Sequence, residues 1–228
     1  MISRRVRRLL TMTSPRIVGV VPAYNEAKTI AKVVSTLRPH ISKVIVIDDC
    51  STDGTGDIAR DAGATVIWHS ENKGYDASLN DGFKAAADDA ADIIFTFDAD
   101  GEHDSSNLQR VLGPIVSDVA DIVVGQRPEN RHWSEVIFAL YTRIRFGIRD
   151  PLCGFKAYRR RVYDAVGSFD SRQSIGTELM IRGIQHGFRL ACVPITLHTR
   201  ADASRFYALN LQGNLKILRG MLRVMLVK

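Results

Sequence analysis

The sequence predicts an α/β fold with a mostly parallel central sheet flanked by helices. Short apolar runs alternate along the chain with segments whose hydrophobic residues recur at helical spacing. The runs are near-continuous in hydrophobicity, as strands covered on both faces are. Polar, acid-rich loops follow them, which is where open parallel sheets bind ligands.

Residues 16–21 form the first run, and after a polar turn Ile30, Val33, Val34 and Leu37 mark a helix. The same unit recurs as 44–47 with 54–62, 65–68 with 75–87, and 92–97 with 105–117, and a strand at 121–125 ends the series. Right-handed crossovers place such helices on both sheet faces. Beyond Pro128 the rhythm loosens into a helix near 132–146, a loop at 150–154, a short helix, a helix at 176–186 and a strand at 189–195. No linker divides the chain, so one domain is expected over 16–205, between a basic tail (1–15) and a terminal segment (206–228). In that segment Leu211, Leu215, Leu218, Leu222 and Met225 share one helical face while Lys216, Arg219 and Arg223 line another.

Composition narrows the function classes. The 228 residues suffice for one full-sized domain, and 45% apolar with 25% charged residues is ordinary for a globular protein. Cys50, Cys153 and Cys192 are too few and too scattered for a zinc knuckle or disulfide framework, which suits a reducing compartment. No run of about 18 apolar residues spans a bilayer. The five Arg before residue 17 lack the apolar stretch of a signal peptide, leaving a basic tail or a transit peptide as readings. The net charge of +6 conceals a dipole: residues 17–126 sum to −10 and residues 127–228 to +11. A uniform nucleic-acid binder would not show this split. An acidic half suits a metal site, and a basic half suits phosphates or an anionic membrane face.

Three of the loops leaving the strands concentrate chemistry: Pro22-Ala23-Tyr24-Asn25-Glu26, the stretch from Asp48 to Thr55, and the stretch from Asp98 to Asp104. Carboxylates converging there repel one another unless a cation intervenes. Asp98 and Asp100, two residues apart at a strand end, suit Mg²⁺ or Mn²⁺ shared with substrate phosphates; the other reading is acids that cap turns and helix starts.

Taken in order, Pro-Ala-Tyr-Asn-Glu, Asp-Asp-Cys-Ser-Thr-Asp-Gly-Thr, Asn72-Lys73-Gly74 and Asp-Ala-Asp-Gly resemble the family 2 glycosyltransferases, inverting enzymes of the GT-A fold. Asp-Ala-Asp-Gly-Glu-His-Asp, with the later Leu152-Cys153-Gly154-Phe155-Lys156-Ala157-Tyr158-Arg159-Arg160, is most similar to the branch that contains dolichyl-phosphate mannosyltransferase and other polyprenyl-phosphate glycosyltransferases. The resemblance implies that Pro22, Tyr24 and Glu26 shape a nucleotide pocket, that Asp48 and Asp49 meet base and ribose, and that Asp98, Ala99 and Asp100 hold the donor diphosphate through the metal. Glu102 stands where relatives often carry Gln and is either a third metal ligand or a solvated acid at a helix start. The third loop departs from the family's Gly-x-Gly, reading Gly74-Tyr75-Asp76. Arg127, in Gly125-Gln126-Arg127, is expected to stabilise the departing diphosphate, with a surface role as the other reading. Arg143, Arg200 and Ser204 are candidates for the acceptor phosphate. Glu178 occupies the region where hydroxyl-directed relatives keep a base; it is a base, an Arg-orienting group or an acceptor ligand.

The expected reaction is inverting transfer of one sugar from a GDP- or UDP-linked donor to a polyprenyl or dolichyl phosphate. The alternative is transfer to a saccharide hydroxyl with Glu178 as base. A phosphate monoester, largely dianionic at neutral pH, attacks without a base. The Gln-x-x-Arg-Trp element of processive synthases is absent, since Trp68 and Trp133 do not fit it. A receiver or phosphatase fold is disfavoured because its nucleophilic Asp would follow the first strand. The enzyme is expected at the cytoplasmic face of a membrane, peripheral, with the terminal helix either on anionic lipid or packed on the domain. A membrane-anchored subunit or self-association would complete the anchor.

Overall fold

The computed structural model describes residues 14–102, 106–128, 133–197 and 210–225. Seven strands form one sheet in the order β3-β2-β1-β4-β6-β5-β7. They are β1 (Ile17–Ala23), β2 (Lys43–Asp48), β3 (Thr65–Trp68), β4 (Ile93–Thr96), β5 (Ile122–Gln126), β6 (Lys156–Arg159) and β7 (Leu190–Pro194). All neighbours pair in parallel except β6, which runs antiparallel to both β4 and β5.

Helices cover both faces. On one, α1 (Ile30–Leu37), α2 (Thr55–Asp61) and α4 (Asn107–Val116) pack over Val21, Val44, Val46, Phe95, Val123 and Phe155. On the other, α3 (Tyr75–Asp88), α5 (Trp133–Phe146), α6 (Arg160–Val166), α7 (Glu178–Gln185) and α8 (Asn210–Met225) pack over Val18, Val20, Ile45, Ile47, Ile94, Ile122 and Tyr158. The period-2 alternation of each strand sorts its side chains between the two cores. The helical spacing read for α1 is realised in full: Ile30, Val33, Val34 and Leu37 are all buried, each contributing about 1.5–3 kcal/mol by leaving water. Gly82 lets α3 settle directly on β1, since a Cβ there would lie 2.2 Å from a Val20 methyl.

One expectation is corrected. The segment after the 150–154 loop is not helical at once: Lys156–Arg159 is a strand, inserted between β4 and β5, and the short helix begins at Arg160. The terminal helix packs on the domain by one face and leaves much of the Leu and Met stripe outward. Ile217 and Val224 are 1% exposed and in the core, whereas Leu215, Leu222 and Met225 of the expected apolar stripe face outward. Among the described residues no helix is long and apolar enough to cross a membrane.

Candidate active site

The carboxyl ends of β1, β2 and β4 lie side by side, and the loops leaving them enclose a cavity of about 310 Å³. Pro22, Tyr24, Glu26, Asp49, Asn72, Gly74, Tyr75, Asp98, Ala99 and Asp100 line it. The sequence scattered these residues over 79 positions, and the parallel register gathers them.

Each loop is pinned by its neighbours. The Glu26 N–H donates to Thr55 Oγ1 at 2.8 Å and the Asn25 N–H to Ser51 Oγ at 2.9 Å, so the first loop is built on the second. Thr29 Oγ1 donates to the Ala99 carbonyl at 2.7 Å, tying the fourth loop to the start of α1. Asp49 accepts the Lys73 and Gly74 N–H groups, each at 2.8 Å, which draws the third loop to the cavity. Asp48 does not line the cavity; its Oδ1 accepts the Ser51 N–H at 3.0 Å and it is buried against Gly56.

Asp98 sits against the turn that leads into β6. A Cβ on Gly154 would lie 2.0 Å from Asp98 Oδ2, so only glycine leaves room for this carboxylate. Thr96 Oγ1 fixes that turn by donating to the Gly154 carbonyl at 2.5 Å and accepting the Lys156 N–H at 3.1 Å. Burial, aided by the charge of Asp98, pushes the Tyr75 hydroxyl well above its ordinary range, so it stays a proton donor at the cavity wall. Lys156 is buried with its ammonium donating to the Gly176 carbonyl at 3.1 Å, and burial pulls its pKa down.

Asp98 and Asp100 both line this cavity. Among the described residues no three His, Cys, Asp or Glu side chains converge as a metal cluster. Two hard oxygen ligands with the remaining positions open fit Mg²⁺ or Mn²⁺ shared with ligand phosphates, and do not fit a closed structural site. The expected triad with Glu102 is not assembled: Glu102 lies outside the cavity lining, and its N–H closes a turn on Asp100 Oδ1 at 2.9 Å.

The basic half is arranged differently. Arg127 was expected at the departing diphosphate, but its guanidinium donates to both Asp150 oxygens at 2.8 Å and to Glu135 Oε2 at 3.1 Å. Burial alone would lower its pKa, yet Asp150 and Glu135 hold it firmly protonated. It lines a second cavity of about 460 Å³ with Arg143, Arg149, Val136, Leu140 and Ile195. Arg143 is thus beside an apolar wall. Glu178 is 0% exposed, accepting from Ser171 N–H at 2.6 Å, Ser171 Oγ at 2.8 Å and Arg182 at 3.2 Å. It orients an Arg, one of its three readings, and is not placed as an open base. Arg200 and Ser204 lie outside the described residues.

Sequence reasoning missed Asp170 and His69. Asp170 accepts N–H groups from Arg172, Ser174 and Gly176 and the Ser174 hydroxyl, shaping the loop ahead of α7. The Ser and Gly four and six positions after it were the available signal. His69 bridges Asp49 and Asp81, and nothing in its spacing announces that.

Comparison with known proteins now bears on this geometry. The description "Glycosyl transferase family 2" matches residues 20–167. The undecaprenyl-phosphate mannosyltransferase of Micrococcus luteus is 30% identical over 208 residues, covering 81% of this chain and 84% of that protein. The UDP-N-acetylglucosamine–dolichyl-phosphate N-acetylglucosaminyltransferase of Methanococcus voltae is 35% identical over 129 residues, 49% of this chain and 51% of that protein. Among solved structures, glucosyl-3-phosphoglycerate synthase from Mycobacterium tuberculosis, in complex with Mg²⁺ and UDP, superposes with a TM-score of 0.75 at 20% identity, covering 94% of this chain and 81% of that one. That likeness concerns the fold.

Proposed function

Because the chain belongs to glycosyl transferase family 2, we propose that it moves a single sugar, with inversion, from a nucleoside-diphosphate sugar to a polyprenyl phosphate at a membrane surface. The observation that carries this reading is the gathering of Pro22, Tyr24, Glu26, Asp49, Asp98 and Asp100 in one cavity at the sheet's carboxyl edge. Tyr24, Asp49 and Asn72 are assigned to the nucleoside, and Asp98, Ala99 and Asp100 to the diphosphate end. A bound Mg²⁺ or Mn²⁺ would supply Lewis-acid stabilisation of the leaving diphosphate. The chain's own part is to hold the two carboxylates in place, through Gly154 on one side and the Thr29–Ala99 bond on the other.

The sealed state of Glu178 favours a phosphate acceptor over a hydroxyl one. A hydroxyl needs a general base within reach of its proton, whereas a phosphomonoester attacks as the dianion. Arg143 and Arg149 beside Val136 and Leu140 suit a phosphate that carries an apolar chain. The same helix exposes Trp133, Val136, Ile137, Leu140 and Ile144, and α8, bonded to it through Ser134 and Asn214, exposes Leu215, Leu222 and Met225. Fringed by Arg143, Arg145, Arg219 and Arg223, this face is suited to an anionic bilayer.

The test is incubation with radiolabelled UDP- and GDP-sugars and either polyprenyl phosphate in detergent or an oligosaccharide, with and without EDTA. Label should enter the lipid phase and only with metal present. Label on the oligosaccharide alone, or transfer undiminished by EDTA, would overturn the reading.

A further inference from the structure

A ring of polar contacts joins Asp49, Lys73 and Asp81, and at its centre is His69, a buried side chain that the family motifs do not include. His69 is 7% exposed, with Nδ1 2.7 Å from Asp49 Oδ1 and Nε2 3.0 Å from Asp81 Oδ2. Lys73 closes the ring: its N–H donates to Asp49 Oδ1 at 2.8 Å and its Nζ lies 3.7 Å from Asp81 Oδ2. The His69 N–H also donates to the Asp48 carbonyl at 2.9 Å, so the imidazole is fixed by its backbone as well as by both ring nitrogens.

The distribution of donors on Asp49 has a consequence. Oδ1 receives both His69 and the Lys73 N–H, which uses its two lone pairs. Among the described residues Oδ2 receives the Gly74 N–H alone. Asp49 lines the cavity while His69 stands behind it, outside the lining. A carboxylate oxygen only accepts, so His69 meets Asp49 through an N–H, as the same rule requires at Asp81, and the bond to Asp49 sets that carboxylate's rotation.

We propose that His69 is a positioning residue for nucleoside recognition, locking Asp49 so that Oδ2 keeps one acceptor site turned to the ligand. The ligand group this selects is a donor, a ribose hydroxyl or a base N–H. The proposal rests on the donor-site reading of the cavity given above. His69 would touch neither substrate nor metal; its effect runs through Asp49 and the Asn72–Gly74 segment.

An asparagine at 69 can offer an N–H where Nδ1 stands, and a glutamine one where Nε2 stands, which separates positioning from bulk. His69→Ala and His69→Gln should weaken UDP or GDP binding, measured by calorimetry with Mn²⁺, by roughly ten- to a hundredfold, the loss expected for a hydrogen bond to a charged group. Donor KM should rise in step with kcat little changed, the mark of a contact equal in ground and transition states. His69→Asn should recover most of the affinity. Amide exchange at Lys73 and Gly74 reads the same lock without any ligand, and should be faster in the Ala and Gln variants and restored in Asn. Wild-type affinity in His69→Ala, or an Asn variant no better than Ala, would overturn the proposal. Should the wild type bind neither nucleotide, the donor reading and the nucleoside half of the proposal fall together. Unchanged Lys73 and Gly74 exchange in His69→Ala would remove the positioning half alone.

Discussion

The two halves of the sheet hold buried carboxylates by different means. Toward β1, β2 and β4, Asp48, Asp49 and the half-buried Asp100 accept backbone N–H groups from Ser51, Lys73, Gly74 and Glu102, with His69 as a further partner of Asp49. Toward β5, β6 and β7, Asp150 and Glu135 face Arg127, Asp121 faces Arg161 and Arg189, and Glu178 faces Arg182. Amide dipoles stabilise an anion without cancelling its charge, whereas a guanidinium neutralises it. The first arrangement leaves negative potential available to a cation, and the second gives rigid, electrically quiet structure. The two halves thus differ in what donates to their carboxylates.

Three substitutions would break or sharpen that contrast. The largest effect is expected from Asp100→Ala, which removes one of the two acids proposed to hold the cation: turnover should fall on the order of a hundred- to a thousandfold or more, with circular dichroism and the melting temperature near wild type. Full activity in that variant would place the reactive charge elsewhere. Next is Arg127→Ala, which removes the guanidinium that the buried Asp150 and Glu135 share and should cost about 3–5 kcal/mol in urea denaturation. If the variant instead kept its stability and lost kcat, Arg127 would belong with the reactive groups after all.

Asp76 belongs to neither class and gives the smallest effect. Its Oδ1 is buried with no hydrogen-bond partner among the described residues, and burial with the nearby Asp170 charge lifts its pKa to about 6. A carboxyl whose folded pKa is raised stabilises the fold while protonated and forfeits that as pH rises between the unfolded value of 3.8 and about 6. Asp76→Asn should therefore melt higher than wild type at pH 8, with the difference gone near pH 3.5. A constant difference across that range would mean that Asp76 does not titrate with folding.

Much of the reactive half was legible in the sequence because its residues are placed by backbone. Once the strands at 17–23, 43–48 and 93–96 are parallel and adjacent, Glu26, Asp49 and Asp98 must meet at one edge, whatever their side chains do. The structural half was less legible because long side chains choose partners across the fold. Arg127 finds Asp150 23 residues on, and no local signal says so. Strand β6 was missed for a related reason: a short helix was expected after the 150–154 loop, and the strands that pair with Lys156–Arg159, β4 and β5, lie far back in the chain. His69, with partners 20 residues before it and 12 after, was invisible in the same way.

The antiparallel strand has a consequence for how the protein is made. A chain leaving the ribosome presents all four of its motif loops by residue 102, yet the wall against which Asp98 rests, Gly154, follows some fifty residues later. Until Lys156–Arg159 slots between β4 and β5, both of those strands offer open edges, the kind of surface that invites pairing with other chains. The wall beside Asp98 and the closure of the facing edges of β4 and β5 then arrive together, in one late insertion during vectorial synthesis.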